Sequence, residues 1–541
     1  MLYNTCAMRP IATDTHDFPS LRKEGCIYVD KTMFIHRLVT TIGAKLFFIS
    51  RPRRFGKSLM VSTLKALFSA RRELFEGLAI DRTDWKWEKY PIIHFEFNDL
   101  TAASVEAFEK DLADHLQDRL SATGFCYDPS RPPHWNFAKA IETLAWQKDE
   151  KGNDVHKGVV ILIDEYDAPV GHCLDDVAKA EAVRERLSDV YSQMKNRTGD
   201  IRFLFMTGVS KFTELSVLSA LNNIVDMSQD DGYATMFGYT EDELAANFEE
   251  HLRVHAAKMG KPYENYRDEM KRWYNGFRFA KNDPTTVYNP VSVALTLFKK
   301  ETGFTATWAT TGKPSMLMNY LKREDMLRID VERLRGVAEA EFDVAELRDL
   351  RPVAMLYQAG YLTIKDYDPL RRLYTLGVPD EEVREDLCML MTGVAADKGV
   401  QWAASLGGKL LAEMWDDFFE GLQSLYARMA YGSTERRVHE NSYGRCLSFL
   451  LASQGFRFTM ENVQSNGRAD VVAEHPALVC IFELKVDEPV DKAFAQIRAK
   501  KYAEPYLADG RPIWLIGLSF DSKTRHLVDC AAEKYAQPFS E

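Results

Sequence analysis

"FFISRPRRFGKSLMVSTLKALF" (residues 47–68) decides how the N-terminal half of the chain is read. An apolar run ends at Ser50, a short basic loop follows, and a helical pattern begins near Lys57. Such a loop can wrap backbone N–H groups around a phosphate at the helix N-terminus. Gly56, Lys57 and Ser58 are the residues this arrangement needs most: close backbone approach, an ammonium for phosphate charge, and a hydroxyl for Mg2+. Yet Arg51 stands where a Walker A motif has its first glycine, with Arg53 and Arg54 close behind. Alone, the stretch reads equally as a nucleotide site or as a basic turn that contains GKS.

The surrounding sequence separates the two readings. "KLFFIS" (45–50), "PIIHFEF" (91–97), "GVVILID" (158–164) and "IRFLFMTG" (201–208) are strand-like apolar runs. Segments 102–120 and 176–195 between them carry helical periodicity. Continuous apolar strands alternating with helices imply a parallel α/β sheet covered on both faces. "VVILIDEYDAPV" (159–170) then supplies an apolar run followed by Asp164-Glu165, the Walker B pattern. Asp164 at the strand's carboxyl end would hold Mg2+, and Glu165 would orient and deprotonate the attacking water. A buried strand ending in a solvated acidic turn is the alternative for this segment taken singly. "FLFMTGVSKF" (203–212) ends a strand at Thr207, where a polar residue can sense the terminal phosphate; taken singly, the segment reads better as a plain core strand with a polar turn.

Composition sets the outer bounds. A chain of 541 residues exceeds one ordinary core, so two to four domains are expected. The net charge of −11 means that any nucleic-acid contact must come from local patches. Eight scattered cysteines without a CxxC pair argue against a zinc ribbon or disulfide framework and fit a reducing cytoplasm. No apolar run reaches membrane-spanning length, and the first residues lack signal-peptide order. The expected division is 1–234 for the α/β sheet, 235–400 for a mainly helical lid or spacer, and 401–541 for a second α/β domain. The middle block includes short strand pieces at 359–367 and 371–379.

The last segment has its own pattern: a helix at 439–455, strand pieces at 457–464, 469–475 and 478–486, a helix over 490–507, and a strand at 512–520. "NGRADVVAEHPALVCIFELKVD" (466–487) places Asp470 on one strand and Glu483 and Lys485 on one face of the next. Two carboxylates there can chelate one or two Mg2+ ions, with the lysine supporting the attacking water. An amphipathic hairpin with a wet Glu-Lys face is the alternative. Against it, the flanks "VVA" and "VCIF" are buried in character, so charge at that place needs a reason.

Two resemblances follow from these residues. "YVDKTMFI", "SRPRRFGKSL", "ILIDEYDAPV", "FMTGVSKF", "LSALNNI", "FGYTEDEL", "WYNGFRF", "VYNP" and "WATTG", in order from residue 20 to about 312, resemble the AAA-ATPase-like family of bacteria and archaea. The arginine-rich loop belongs to that family's pattern. The resemblance implies a P-loop NTPase sheet binding ATP through Arg53, Arg54, Phe55, Gly56, Lys57, Ser58, Leu59, Asp164 and Thr207. "NGRADVV", "FELKVD", "AFAQIRAKKYAEPY" and "WLIGLSF", over roughly 435–522, resemble the PD-(D/E)XK nuclease superfamily. That implies a restriction-endonuclease-like α/β domain with Asp470 and Glu483 as metal ligands and Lys485 as catalytic lysine. Gln496, Tyr502, Glu440 and Tyr443 match its helices; Glu461 and Arg468 are further candidates.

The combined expectation is an ATP-binding, ATP-hydrolysing module fused to a nuclease that uses Mg2+, or Mn2+ in its place. Glu165 would be catalytic in the first; Asp470, Glu483 and Lys485 would be catalytic in the second. Ser58 and Asp164 would hold the nucleotide's metal. DNA is the expected substrate, with RNA open, no membrane partner, and oligomerisation open. Arg278 is a candidate arginine finger. The rival expectation is an ATP-regulated switch whose nuclease-like domain binds nucleic acid or a partner without cutting.

Overall fold

The structure is a computed structural model. It describes residues 8–535 apart from 14–15, 101–102, 149–150, 212–222, 300–302, 309–330, 332, 344–350, 397–399, 433–443, 445–446, 448–449, 452–455, 465–466 and 525. The chain forms two compact units, Met1–Thr305 with Val331–Asp380, and Ala306–Asp330 with Glu381–Glu541. The stretch 235–400 is thus divided between them.

In the first unit, strands β1 (Leu46–Ser50), β2 (Ile92–Glu96), β3 (Val159–Asp164), β4 (Ile201–Gly208) and β5 (Val225–Asp226) form one parallel sheet in the order β2-β3-β4-β1-β5. Every residue of β3 is buried, as an all-apolar central strand requires. Helices α1 (Lys57–Phe68), α2 (Val105–Ser121) and α3 (Val177–Tyr191) connect the strands. In sequence, β2 separates β1 from β3; in space β4 does. That order brings the carboxyl ends of β1, β4 and β3 side by side, the place where an open parallel sheet receives a ligand.

Helices α4 (Glu241–Lys258) and α5 (Tyr263–Tyr274) belong to the same unit because their apolar faces have partners there. Leu244, Phe248, Leu252, Tyr266 and Met270 bury against Ile27 and Val29 of the N-terminal segment. Thr240 and Glu243 form a capping box at the start of α4. Lys31 donates to Glu243 at 2.7 Å and to the Thr235 carbonyl at 2.7 Å, pinning the two regions together. The unit also holds an antiparallel sheet of β6 (Leu334–Ala338), β7 (Thr363–Asp368) and β8 (Leu373–Gly377), in the order β6-β8-β7.

In the second unit, β9 (Arg457–Gln464), β10 (Gly467–Glu474), β11 (Val479–Val486), β12 (Ile513–Phe520) and β13 (Leu527–Lys534) form a mixed sheet in chain order. Only β11 and β12 run parallel, joined by helix α7 (Val490–Ala499). Helix α6 (Trp415–Gly432) contributes Phe418, Leu422 and Leu425 to the core on one face, with Cys480, Phe482 and Leu484 of β11. Val479 and Ile481 face the other way, under Phe494 and Ile497 of α7. Among the described residues no helix is long and apolar enough to cross a membrane.

Candidate active sites

The loop after β1 is held by groups that a glycine would not supply. Arg51 is only 2% exposed, and its guanidinium stacks over Phe279 at 4.2 Å. It donates to the carbonyls of Ser50 (2.9 Å) and Ser228 (2.7 Å). Its backbone N–H bonds to the Gly208 carbonyl at 3.1 Å, carrying the β1–β4 pairing one residue into the loop. Phe55 is buried edge-on to Phe277 and Phe279, with centroids 4.8 and 5.2 Å away. Arg51 therefore shapes the loop, and the "WYNGFRF" segment supplies the socket. Arg53 is exposed, whereas Arg54 is half-buried at φ 68°.

Gly56 caps α1 at φ 88°, in the left-handed region where glycine costs least. Lys57 is buried, and its Nζ donates to the carbonyls of Arg51 and Pro52, both at 3.0 Å. Burial lowers its pKa, while Glu165, Asp164 and Asp167 draw it back up. The Ser58 hydroxyl donates to Asp164, whose Oδ1 also accepts the Glu165 N–H at 3.0 Å. Burial raises the pKa of both Asp164 and Glu165. Glu165 sits at φ 52°, a strained value for a residue with a side chain. Thr207 is fully buried, and among the described residues its Oγ1 has no hydrogen-bond partner. Leu59 borders a cleft of about 120 Å³ beside Gly56, whose walls include His16, Tyr28, Arg54 and Phe237.

Sequence reasoning passed over two parts of this site, Glu96 and Asp167. Glu96 ends β2 in register with Asp164, and burial followed by the Asp164 charge raises its pKa. Asp167 is buried and accepts the N–H groups of Val209 (3.1 Å) and Ser210 (2.6 Å). The second aspartate of "IDEYDAP" was the available signal. Arg278 is buried, its Nε donating to the carbonyls of Ala280 and Asp283 at 2.9 Å each. Those contacts occupy its guanidinium within a local loop.

In the second unit, Glu483 and Lys485 continue the row of Val479 and Ile481 along one face of β11. The β10–β11 ladder runs from Glu474–Val479 to Val471–Phe482 and stops. One residue further, the Asp470 carboxylate accepts the Leu484 N–H at 2.8 Å. Glu483 is 1% exposed; its Oε1 accepts from Lys485 Nζ at 2.8 Å, the Asp470 N–H also acts on the carboxylate, and among the described residues Oε2 has no close partner. Lys485 also donates to Gln496 of α7 at 2.9 Å. Gly517 lies beside Glu483 in register, and a Cβ there would meet Val490 at 2.4 Å, so α7 reaches this site only over glycine. Burial, then the Asp470 charge, pushes Glu483 up to about 7 against the pull of Lys485.

An orphaned carboxylate oxygen beside a second carboxylate is a donor set suited to a hard divalent cation. Among the described residues no third histidine, cysteine or carboxylate completes a cluster. Tyr502 is buried in the α7 face of the core. Glu440 and Tyr443, with most of the 439–455 segment, lie outside the described residues. Glu461 and Arg468 fall on β9 and β10.

Two outcomes test these geometries. Arg51→Ala removes the stack and strands buried carbonyls, and should cost about 2–4 kcal/mol of unfolding free energy in denaturant titration. Glu483 binds its proton more tightly folded than unfolded, so its stabilising contribution is lost as pH rises from about 4.5 through about 7. In chelator, wild type should lose stability relative to Glu483→Gln across that window, with the difference level above it. A pH-independent difference would contradict the placement of Glu483.

Comparison with known proteins agrees with both halves. Residues 10–218 match the family described as "Predicted AAA-ATPase", and residues 438–530 match the PD-(D/E)XK nuclease superfamily. A protein of Azotobacter chroococcum mcd 1, described as "Uncharacterized protein in vnfD 5'region", is 31% identical over 539 residues. The match covers 97% of this chain and 98% of that one. With its parallel sheet and glycine-capped helix in one unit and its Asp-Glu-Lys strands in the other, the chain belongs to the AAA-ATPase-like family and carries a PD-(D/E)XK nuclease superfamily domain.

Proposed function

We propose that the first unit binds and hydrolyses ATP with Mg2+, and that the second is a metal-dependent nuclease acting on DNA in the cytoplasm. The observation that carries the nuclease half is the buried Oε2 of Glu483 beside Asp470, without a close partner among the described residues. A carboxylate kept in a dry strand without a partner for that oxygen is costly unless a ligand completes it. Asp470 and Glu483 would hold Mg2+ or Mn2+, and when bound the cation supplies positive charge to polarise a phosphodiester and acidify water. Lys485, fixed by Gln496, presents an ammonium to the charge that develops on the phosphate. RNA is the alternative polymer, and the assay below separates the two.

The ATP half rests on Lys57. Its ammonium donates to the loop carbonyls and feels the Glu165 and Asp164 charges, so a phosphate entering over Gly56 exchanges bonds to neutral carbonyls for bonds to a charged oxygen. Arg53, Arg54, Phe55 and Leu59 border the same entry, Ser58 and Asp164 would hold the nucleotide's Mg2+, and Thr207 offers its hydroxyl to the terminal phosphate. Glu165, its pKa raised by burial, accepts a proton from water more readily than an ordinary carboxylate.

Purified protein with Mg2+ or Mn2+ is expected to nick or linearise plasmid DNA, and Asp470→Ala to reduce this at least about 100-fold. A wild type inert toward DNA and active on RNA would move the substrate; inertness toward both would end the nuclease reading. Glu165→Gln should keep ATP binding and lower phosphate release at least about 100-fold. Equal rates would leave Glu165 without a catalytic role.

A further inference from the structure

The turn that follows β4 is bonded from three sides, and those bonds join the nucleotide site to a buried ion-pair cluster. The Tyr166 N–H donates to the Thr207 carbonyl at 3.1 Å, and the Tyr166 hydroxyl donates to the Ser210 carbonyl at 2.8 Å. Asp167 takes the Val209 and Ser210 N–H groups on its two carboxylate oxygens. The approach is close enough that a Cβ on Gly208 would lie 2.2 Å from Asp167 Oδ1. From the other side, the Arg51 N–H of the phosphate loop donates to the Gly208 carbonyl. Past the turn, buried Lys211 ion-pairs with Asp226 and Asp343, both at 2.8 Å, and its N–H meets Gln358 at 3.3 Å.

These contacts have a direction. Tyr166 and Asp167, directly after Glu165, both bond to residues 207–210, while the Asp167 charge also acts on Lys57 of the phosphate loop. Thr207 meanwhile is fully buried, and its hydroxyl has no hydrogen-bond partner among the described residues. A short hydroxyl can serve a ligand only if the backbone carrying it is fixed to within a fraction of an ångström. The Tyr166–Asp167 clamp supplies that fixity, and through Lys211 the same turn is tied to Asp343 and Gln358.

We propose that Asp167 and Tyr166 are positioning residues that hold Thr207 for the terminal phosphate, so that the site distinguishes nucleoside triphosphate from diphosphate. The inference rests on the reading of this site as an ATP site and adds what gives it its preference. A diphosphate leaves the Thr207 hydroxyl without its partner, so loosening the clamp weakens triphosphate binding selectively. Turnover falls with it, because the same hydroxyl fixes the group being transferred.

The test uses the full chain with ADP and with a β,γ-imido ATP analogue, each with Mg2+, in wild type, Asp167→Ala and Tyr166→Phe. Tyr166→Phe removes one hydroxyl from a packed ring and keeps the fold testable should Asp167→Ala unfold. Wild type is expected to prefer the analogue. Asp167→Ala should lower that preference about tenfold and Tyr166→Phe about threefold, with ADP affinity within about twofold of wild type. ATPase kcat should drop by about tenfold or more in Asp167→Ala, with KM changing far less. Unchanged preference and kcat in Tyr166→Phe, or equal loss of ADP and analogue binding, would overturn the clamp while leaving the ATP site standing. A wild type that binds neither nucleotide would overturn the ATP reading and this inference together.

Discussion

Lys57 is the constraint around which the first unit is arranged. It is buried at the carboxyl end of a parallel sheet, where desolvation works against its charge. Asp164, Glu165 and Asp167 compensate, yet each of these is itself raised by burial. Such a group of charges persists only if every member is hydrogen-bonded and the backbone under it is rigid. The rigid backbone comes from three parallel strands ending together, from Gly56 in the left-handed region, and from Arg51 stacked on Phe279. The aromatic socket around Phe55 serves the same need to keep the loop in place.

Much of this was legible because the strands announce themselves. A run such as "GVVILID" has no polar face, so it can only be a central strand, and β3 spans Val159–Asp164. What the sequence concealed was spatial order. Nothing local in "PIIHFEF" or "IRFLFMTG" says which one lies beside β1; the answer depends on crossover connections, and β4 takes that place. The role of Arg51 was hidden for a similar reason. A cation in a phosphate loop suggests a phosphate ligand, and only the tertiary fold places Phe279, more than two hundred residues on, beneath it.

In the second unit the strand pair carrying Asp470, Glu483 and Lys485 was readable from alternation, since i and i+2 share a face. The β13 strand was not. Leu527–Lys534 has one buried residue and otherwise half-buried or exposed ones, the mark of an edge strand with too little apolar pattern to stand out. The helix predicted over 490–507 ends at Ala499 and gives way to a 3-10 turn at Glu504–Asp509, where Pro505 and Gly510 stop regular winding. In the middle, the strand pieces near 359–367 and 371–379 form the β7–β8 hairpin. Their partner β6 had no comparable run, because only Val337 among its residues is buried. The division at Asp380 depends on which core each helix covers, and Ile27 and Val29 carry no local sign that α4 and α5 will pack on them.

The most direct measurement is a crystal structure of the full chain with an ATP analogue and Mn2+, read through the anomalous signal of the metal. The expected map has one manganese peak within ligand distance of Glu483 Oε2 and Asp470. A second peak should lie at Ser58 and Asp164, with Lys57 turned from the Arg51 and Pro52 carbonyls to phosphate. Nucleotide bound without contact to Lys57, or no peak between Asp470 and Glu483 at saturating Mn2+, would contradict the two-centre reading.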